Sequence, residues 1–193
     1  MHCQMELSKV TTQYVSRFYD LLNEMRRKMT NAGCTDSISH NFIVQMLPHH
    51  QTAIYMSHNL LQYTTWIPLQ NLAENIIREQ TKSIEDMTKI LNRCCLYTNT
   101  EQDLSSYLQC FDSISQTMFT RMENACTDNS ISGNFLREMI PHHEGAIQMS
   151  ENALRFPVCE DLLPILSSMI TCQRAGIEKM KSLERTLYAC HLC

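Results

Sequence analysis

The chain has 193 residues, room for one domain of ordinary size or two small ones with a substantial core. Its 4 glycines and 5 prolines are too few for the turns of a sandwich, a barrel or a collagen-like chain, and 44% hydrophobic with 19% charged residues argues against disorder. The net charge of −4, with no basic run, argues against nucleic acid as a partner, and no apolar stretch is long enough to span a membrane.

The opening Met1-His2-Cys3-Gln4-Met5-Glu6 shows no basic stretch followed by an apolar one, so no signal peptide is visible. The chain as it stands reads as cytoplasmic, or as exported if a signal has been removed. The first predicted helix carries Tyr14, Phe18, Leu21, Met25 and Met29 on one stripe, at spacings of 4, 3, 4 and 4. The polar stretch Asn31 to Ser39 ends it, with Gly33 available for a left-handed residue just past the helix. A second helix starts from a cap region of Asp36, Ser37 and Ser39 and aligns Phe42, Met46, His49, Ala53, Met56 and Leu60. After a break at Tyr63 to Pro68, a third helix aligns Leu69, Ala73, Ile76, Gln80, Ile84, Met87 and Leu91. A linker, Leu96 to Asp103, follows, and the pattern begins again.

Offset by 93 residues, Ser37 to Ser57 matches Ser130 to Ser150 at 13 of 21 positions. The match extends upstream through Tyr14/Tyr107, Phe18/Phe111, Met25/Met118 and Met29/Met122, and downstream through Gln80/Gln173 and Met87/Met180. The period is too long for a solenoid. The expected architecture is all-α: two three-helix repeats, 1–96 and 97–193, joined by a short linker into one compact body with pseudo-twofold symmetry.

Chemistry concentrates in the second helix of each repeat. At 100° per residue, Met46, His49, Ala53 and Met56 share a face, with His50 at its edge. Pro48 lies inside the same helix, where a proline costs about 3 kcal/mol. That the cost recurs at Pro141, again just before two histidines, points to a bend that aims imidazoles inward. A lone histidine on an apolar face is ordinarily a satisfied core residue, and methionines fill gaps; here the whole Met-x-x-His-His set is written twice. Thioether and imidazole are soft, neutral ligands that suit Cu(I), and Ag(I) by the same softness. A carboxylate-bridged di-iron site needs Glu-x-x-His, which is absent from the chain. Zinc would prefer cysteines, which the repeated pattern lacks.

The repeated Met-(Ile/Leu)-Pro-His-His-x-x-Ala-Ile-x-Met, followed by Ile-Glu-x-Met at Ile84 to Met87 and Ile177 to Met180, resembles the bacterial domain-of-unknown-function family 305. The resemblance covers roughly 36–95 and 129–190. It implies a ferritin-like helical bundle, and copper binding or resistance as known for some members, which are mostly exported. Carried over, it implicates Met46, His49, His50 and Met56 with Met139, His142, His143 and Met149 as metal ligands. Met87 and Met180 follow as ligands from the third helix, and Met25, Met29, Met118 and Met122 face the same core by their spacing.

The 10 cysteines depart from this pattern, and most ignore the repeat: Cys94 aligns with Leu187, Cys110 with Arg17, Cys172 with Glu79. Cys34, Cys94, Cys95 and Cys159 are expected toward one end of the bundle, and Cys3, Cys126, Cys190 and Cys193 toward the other, with His2 and His191 nearby. Cys190-His-Leu-Cys193 with Cys3, and the pair Cys94 and Cys95, are candidates for a second, thiol site, where zinc or an iron–sulfur cluster is a weaker alternative to copper. An exported chain would make the same clusters disulfide candidates.

The leading functional expectation is a non-enzymatic protein that sequesters, stores or confers resistance to a soft metal. A redox or hydrolytic enzyme using the histidine pairs would need a positioned carboxylate, and Glu144, beside His143, is Gln51 in the first repeat. A structural protein with cysteine cross-links is the third reading, and a homo-oligomer is compatible with all three.

Overall fold

A computed structural model describes residues 6–189. Six α-helices account for most of them: α1 Lys9–Thr30, α2 Ile38–Leu61, α3 Ile67–Cys94, α4 Glu101–Glu123, α5 Ile131–Ala153 and α6 Leu163–Ala189, the last preceded by a 3-10 turn at Glu160–Leu162. Among the described residues there is no strand, and no helix is long and apolar enough to cross a membrane.

The helix starts are set by side chains. Ser8, Ser37, Thr100 and Ser130 each cap a helix by accepting from a backbone N–H three residues on, which stabilises by about 1 kcal/mol per cap. Pro68 sits in the first turn of α3, where its missing N–H costs nothing. At the end of α1, Asn31 rather than Gly33 makes the stop: its Nδ2 donates to the Arg27 carbonyl at 2.7 Å. No described glycine has a positive φ, so the left-handed role expected of Gly33 is not used.

The loops entering α2 and α5 are clasped in the same way. Asn41 accepts from the Thr35 N–H at 2.7 Å and donates to its carbonyl at 2.9 Å; Asn134 does the same to Asp128 at 3.0 and 2.8 Å. Asn59 and Asn152 then tie α2 to the Tyr14 carbonyl and α5 to the Tyr107 carbonyl, at 3.2 and 3.1 Å. These are buried side-chain amides with backbone partners, which fix register between neighbouring helices.

Helix α2 packs between α1 and α3, and α5 between α4 and α6. The halves meet where α2 crosses α5 and α3 meets α6. The central pair is therefore covered on nearly every side, which explains why polar positions of α2 such as Ser39, Asn41, Thr52, Ser57 and Asn59 are buried along with its apolar ones. One apolar core runs through both halves, from Tyr14 and Phe42 to Phe111 and Phe135. Side-chain ties reinforce the junction, including Arg26 to Glu123 at 2.5 Å and Asn99 Nδ2 to the Pro157 carbonyl at 2.7 Å.

Candidate metal centre

The Pro-His-His segments lie midway along α2 and α5, where these helices cross. Pro48 and Pro141 are inside continuous helices. Each removes one backbone hydrogen bond of its helix. Near Pro48 the Thr52 hydroxyl donates to the proline's own carbonyl at 3.0 Å. The histidines that follow are all buried, His49 and His142 completely.

The two repeats meet through these rings. His49 and His142 stack with centroids 3.7 Å apart and planes inclined by 29°. His50 lies 5.8 Å from His49, and His143 5.9 Å from His142, both tilted. His142 Nε2 is 3.3 Å from the His49 carbonyl oxygen. The His143 ring reaches α6 at Gly176, where a Cβ would come 3.1 Å from Cδ2 and 3.3 Å from Nε2. A side chain at that position would crowd the imidazole.

Five ring nitrogens in this cluster, both of His49 and Nδ1 of His50, His142 and His143, make no hydrogen bond of good geometry, although the His142 carbonyl lies near the His49 ring and the Met139 carbonyl near that of His143. Leaving a buried polar atom unpaired costs about 1–3 kcal/mol. A core built only for stability would place apolar side chains here. Burial holds the rings neutral: it drives His50 down to about 3 and His143 down to about 4, with the neighbouring histidines adding to the effect on His50. His49 is lowered well below the usual range by burial and by His50 and His143, and His142 by burial and by His49 and His143. A neutral imidazole with a free lone pair is the form that binds metal.

The repeated thioethers lie in the same dry interior. Met25, Met29, Met46, Met56, Met87, Met118, Met122, Met139, Met149 and Met180 are all buried. Met46 and Met139 each stand one helical turn before the histidines of their own repeat. Met118 lies over Gly145 on α5, where a Cβ would approach its sulfur to 2.5 Å. Among the described residues, no three His, Cys, Asp or Glu side chains converge tightly enough to hold a metal by themselves. The donor set that the bundle does offer is imidazole supplemented by thioether.

Carboxylates stay away from the rings. Glu144, next to His143 in sequence, pairs instead with Arg121 at 2.6 Å. The buried carboxyl of the region is Glu138, which accepts from the Tyr14 hydroxyl at 2.7 Å and is raised to about 7 by burial. Its counterpart in the first repeat is Gln45, whose Oε1 has no partner; nor has the hydroxyl of Tyr107, the counterpart of Tyr14.

The cysteines do not join the histidine cluster. Cys94 is buried beside Cys159, and burial with that neighbouring thiol pushes it up to about 12. The two are positioned by consecutive contacts of α2: Ser37 Oγ donates to the Cys94 carbonyl at 2.7 Å, and Ser39 Oγ accepts from the Cys159 N–H at 2.8 Å. Cys95, the other member of the expected pair, donates to the Asn92 carbonyl at 3.0 Å. Cys3, Cys190 and Cys193, together with His2 and His191, lie outside the described residues. Three features were missed in the sequence. Cys94 and Cys159 were expected at the same end of the bundle, but their direct contact, like that of Gly176 with His143, is visible only in three dimensions. Gln80 and Gln173, polar in both repeats within an apolar stripe, did carry a signal; both are buried with Oε1 unpartnered.

The chain is similar to a solved structure, CopM in the Cu(II)-bound form, with 26% identity and a TM-score of 0.60, covering 78% of this chain and 97% of that one. No curated protein matches significantly. The sequence profile described as "Domain of unknown function (DUF305)" matches residues 22–91 and 39–184, so that both Pro-His-His helices fall within it. The chain belongs to the DUF305 family.

Proposed function

We propose that the protein binds copper as cargo, holding Cu(I) in the dry interior between α2 and α5 for sequestration, storage or resistance, without catalysing a reaction. The observation that carries this reading is the set of five unpartnered ring nitrogens at the helix crossing, in a core that also buries the repeated methionines. A coordinated metal would relieve the cost of leaving those nitrogens bare. The residues that would hold it are His49, His50, His142 and His143 with Met46, Met56, Met139 and Met149. Met87 and Met180, and then Met25, Met29, Met118 and Met122, complete the sulfur lining.

Neutral nitrogen and thioether donors favour a soft monovalent ion, Cu(I) and by the same argument Ag(I), because they do not neutralise a second charge. The similarity to a protein solved with copper bound supports the choice of metal. Acid–base catalysis needs a histidine with a positioned partner. Among the described residues none of the four imidazoles has a carboxylate partner, which supports a binding role.

The test is anaerobic titration of the reduced protein with Cu(I) against a competing chromophoric chelator, for wild type and for His49, His50, His142 and His143 all changed to Ala. The proposal expects the wild type to withdraw copper and the variant to lose one or two equivalents while its circular dichroism stays helical. The pair His50→Leu with His143→Leu, closer in volume, serves if the fourfold variant fails to fold. Identical titrations for wild type and folded variants would overturn the site.

A further inference from the structure

The histidine cluster raises a problem of access, since His49 and His142 have no exposed surface. An ion bound there must pass between helices. A cleft of about 520 Å³ opens between α3 and α6, and His50 forms part of its wall. Its other walls carry Glu79 and Gln80 from α3, and Met169, Cys172 and Gln173 from α6.

Two features mark this cleft as a ligand path. Gln80 and Gln173, only 3% and 4% exposed, face each other in repeat-equivalent positions, and both amide oxygens are without hydrogen-bond partners. Buried carbonyl oxygens left bare beside a bare His50 Nδ1 form a polar track with nothing in the protein to satisfy it. The α6 wall also supplies soft sulfur. The Met169 thioether lies 3.2 Å from the Ser150 hydroxyl, which donates to the Ala146 carbonyl, and Cys172 stands beside Gln173 where the first repeat has Glu79. The charges at the mouth balance: Lys82 and Lys89 share Asp86, Arg93 pairs with Asp161 at 3.2 Å, and Glu79 stands on the α3 wall.

We infer that the α3/α6 cleft is the port through which a soft monovalent metal reaches and leaves the histidine cluster, with Cys172 and Met169 as its transfer ligands and a small thiol as the carrier that docks there. This rests on the copper-binding reading above. Thiolate and thioether select Cu(I), and a thiol carrier delivers it to them by exchange of one sulfur ligand for another. The exchange is a ligand substitution. The carrier's sulfur–copper bond breaks as a copper bond to Cys172 sulfur forms, the thiol proton of Cys172 passes to the departing carrier thiolate, and copper stays Cu(I). From Cys172 the ion passes to His50 and on to the inner rings, which restores the cysteine thiol by taking up one proton from solvent.

The test is stopped-flow loading of the reduced full-length protein with the Cu(I)–glutathione complex under anaerobic conditions, alongside equilibrium stoichiometry. Two variants are compared with wild type: Cys172→Ser, which removes the thiol, and Ser168→Trp, which narrows the cleft at its wall. The expected result is loading at least tenfold slower in both, with the final copper stoichiometry lowered by no more than the Cys172 equivalent. Wild-type loading rates in both variants would overturn the port while leaving the histidine site standing. A wild type that takes up no copper at equilibrium would overturn the site itself, and the port with it.

Discussion

Changing Glu138 to Gln isolates a cost built into the core. Glu138 is 2% exposed, and its only charged or acidic neighbours of consequence are the Tyr14 hydroxyl and Arg137. Burial raises its carboxyl from 4.5 to about 7, the Tyr14 hydrogen bond and Arg137 pulling the other way. A raised folded-state value means that the folded protein holds a proton that the unfolded chain releases. Stability is therefore fully present below about pH 4.5 and is lost as the pH rises through about 7. At 1.36 kcal/mol per unit, the loss between pH 5 and pH 8.5 is about 2–3 kcal/mol, or about 5–10 °C in Tm for a chain of this size. Gln keeps an acceptor for Tyr14, carries no charge, and is the residue that the first repeat uses at the equivalent Gln45. Urea unfolding of the metal-free protein across this pH range should show Glu138→Gln diverging above wild type as the pH rises. Parallel curves would refute the account of Glu138 as a buried carboxyl.

Two further outcomes follow from the same interior. Tyr14→Phe, which leaves Glu138 without its donor, should cost about 1–3 kcal/mol, whereas Tyr107→Phe removes a hydroxyl that has no partner and should be neutral or stabilising; equal losses measured by chemical denaturation would contradict the asymmetry. The four imidazoles act on pH with the opposite sign to Glu138. Their folded values are lowered, to about 3 for His50 and about 4 for His143, so the unfolded chain takes up protons first and stability falls as the pH drops below 6.5. In a Glu138→Gln background that loss should reach about 3 kcal/mol per buried histidine at pH 4.5, and a flat profile between pH 7 and pH 4.5 would show the rings to be solvated.

Much of this molecule was legible because its helices are written twice. The stripe through Tyr14, Phe18 and Met25, the cap at Ser37 and the Pro-His-His motif could each be checked against a second copy, and the structure places them in helices that begin and end near the expected residues. Periodicity could not reveal that α2 and α5 are the central pair. Ser39, Asn41 and Asn59 lie off the apolar stripe, yet they are buried, and their partners are an opposite thiol segment, a loop and a neighbouring helix that come together only on folding. The stacking of His49 on His142 is likewise a product of the crossing, not of either helix alone. The cysteines were the least legible because they do not repeat, so no second copy tests their placement. Cys94 meets Cys159 only because α3 ends where the α5–α6 connection passes.

X-ray absorption at the copper edge, on reduced protein carrying one equivalent of Cu(I), tests the central claim most directly. The account predicts an edge characteristic of Cu(I), the multiple-scattering pattern of coordinated imidazole and a sulfur shell, with the imidazole pattern lost in the folded histidine variants. A spectrum of sulfur ligands alone, unchanged by removal of His49, His50, His142 and His143, would take copper off the imidazoles and contradict it.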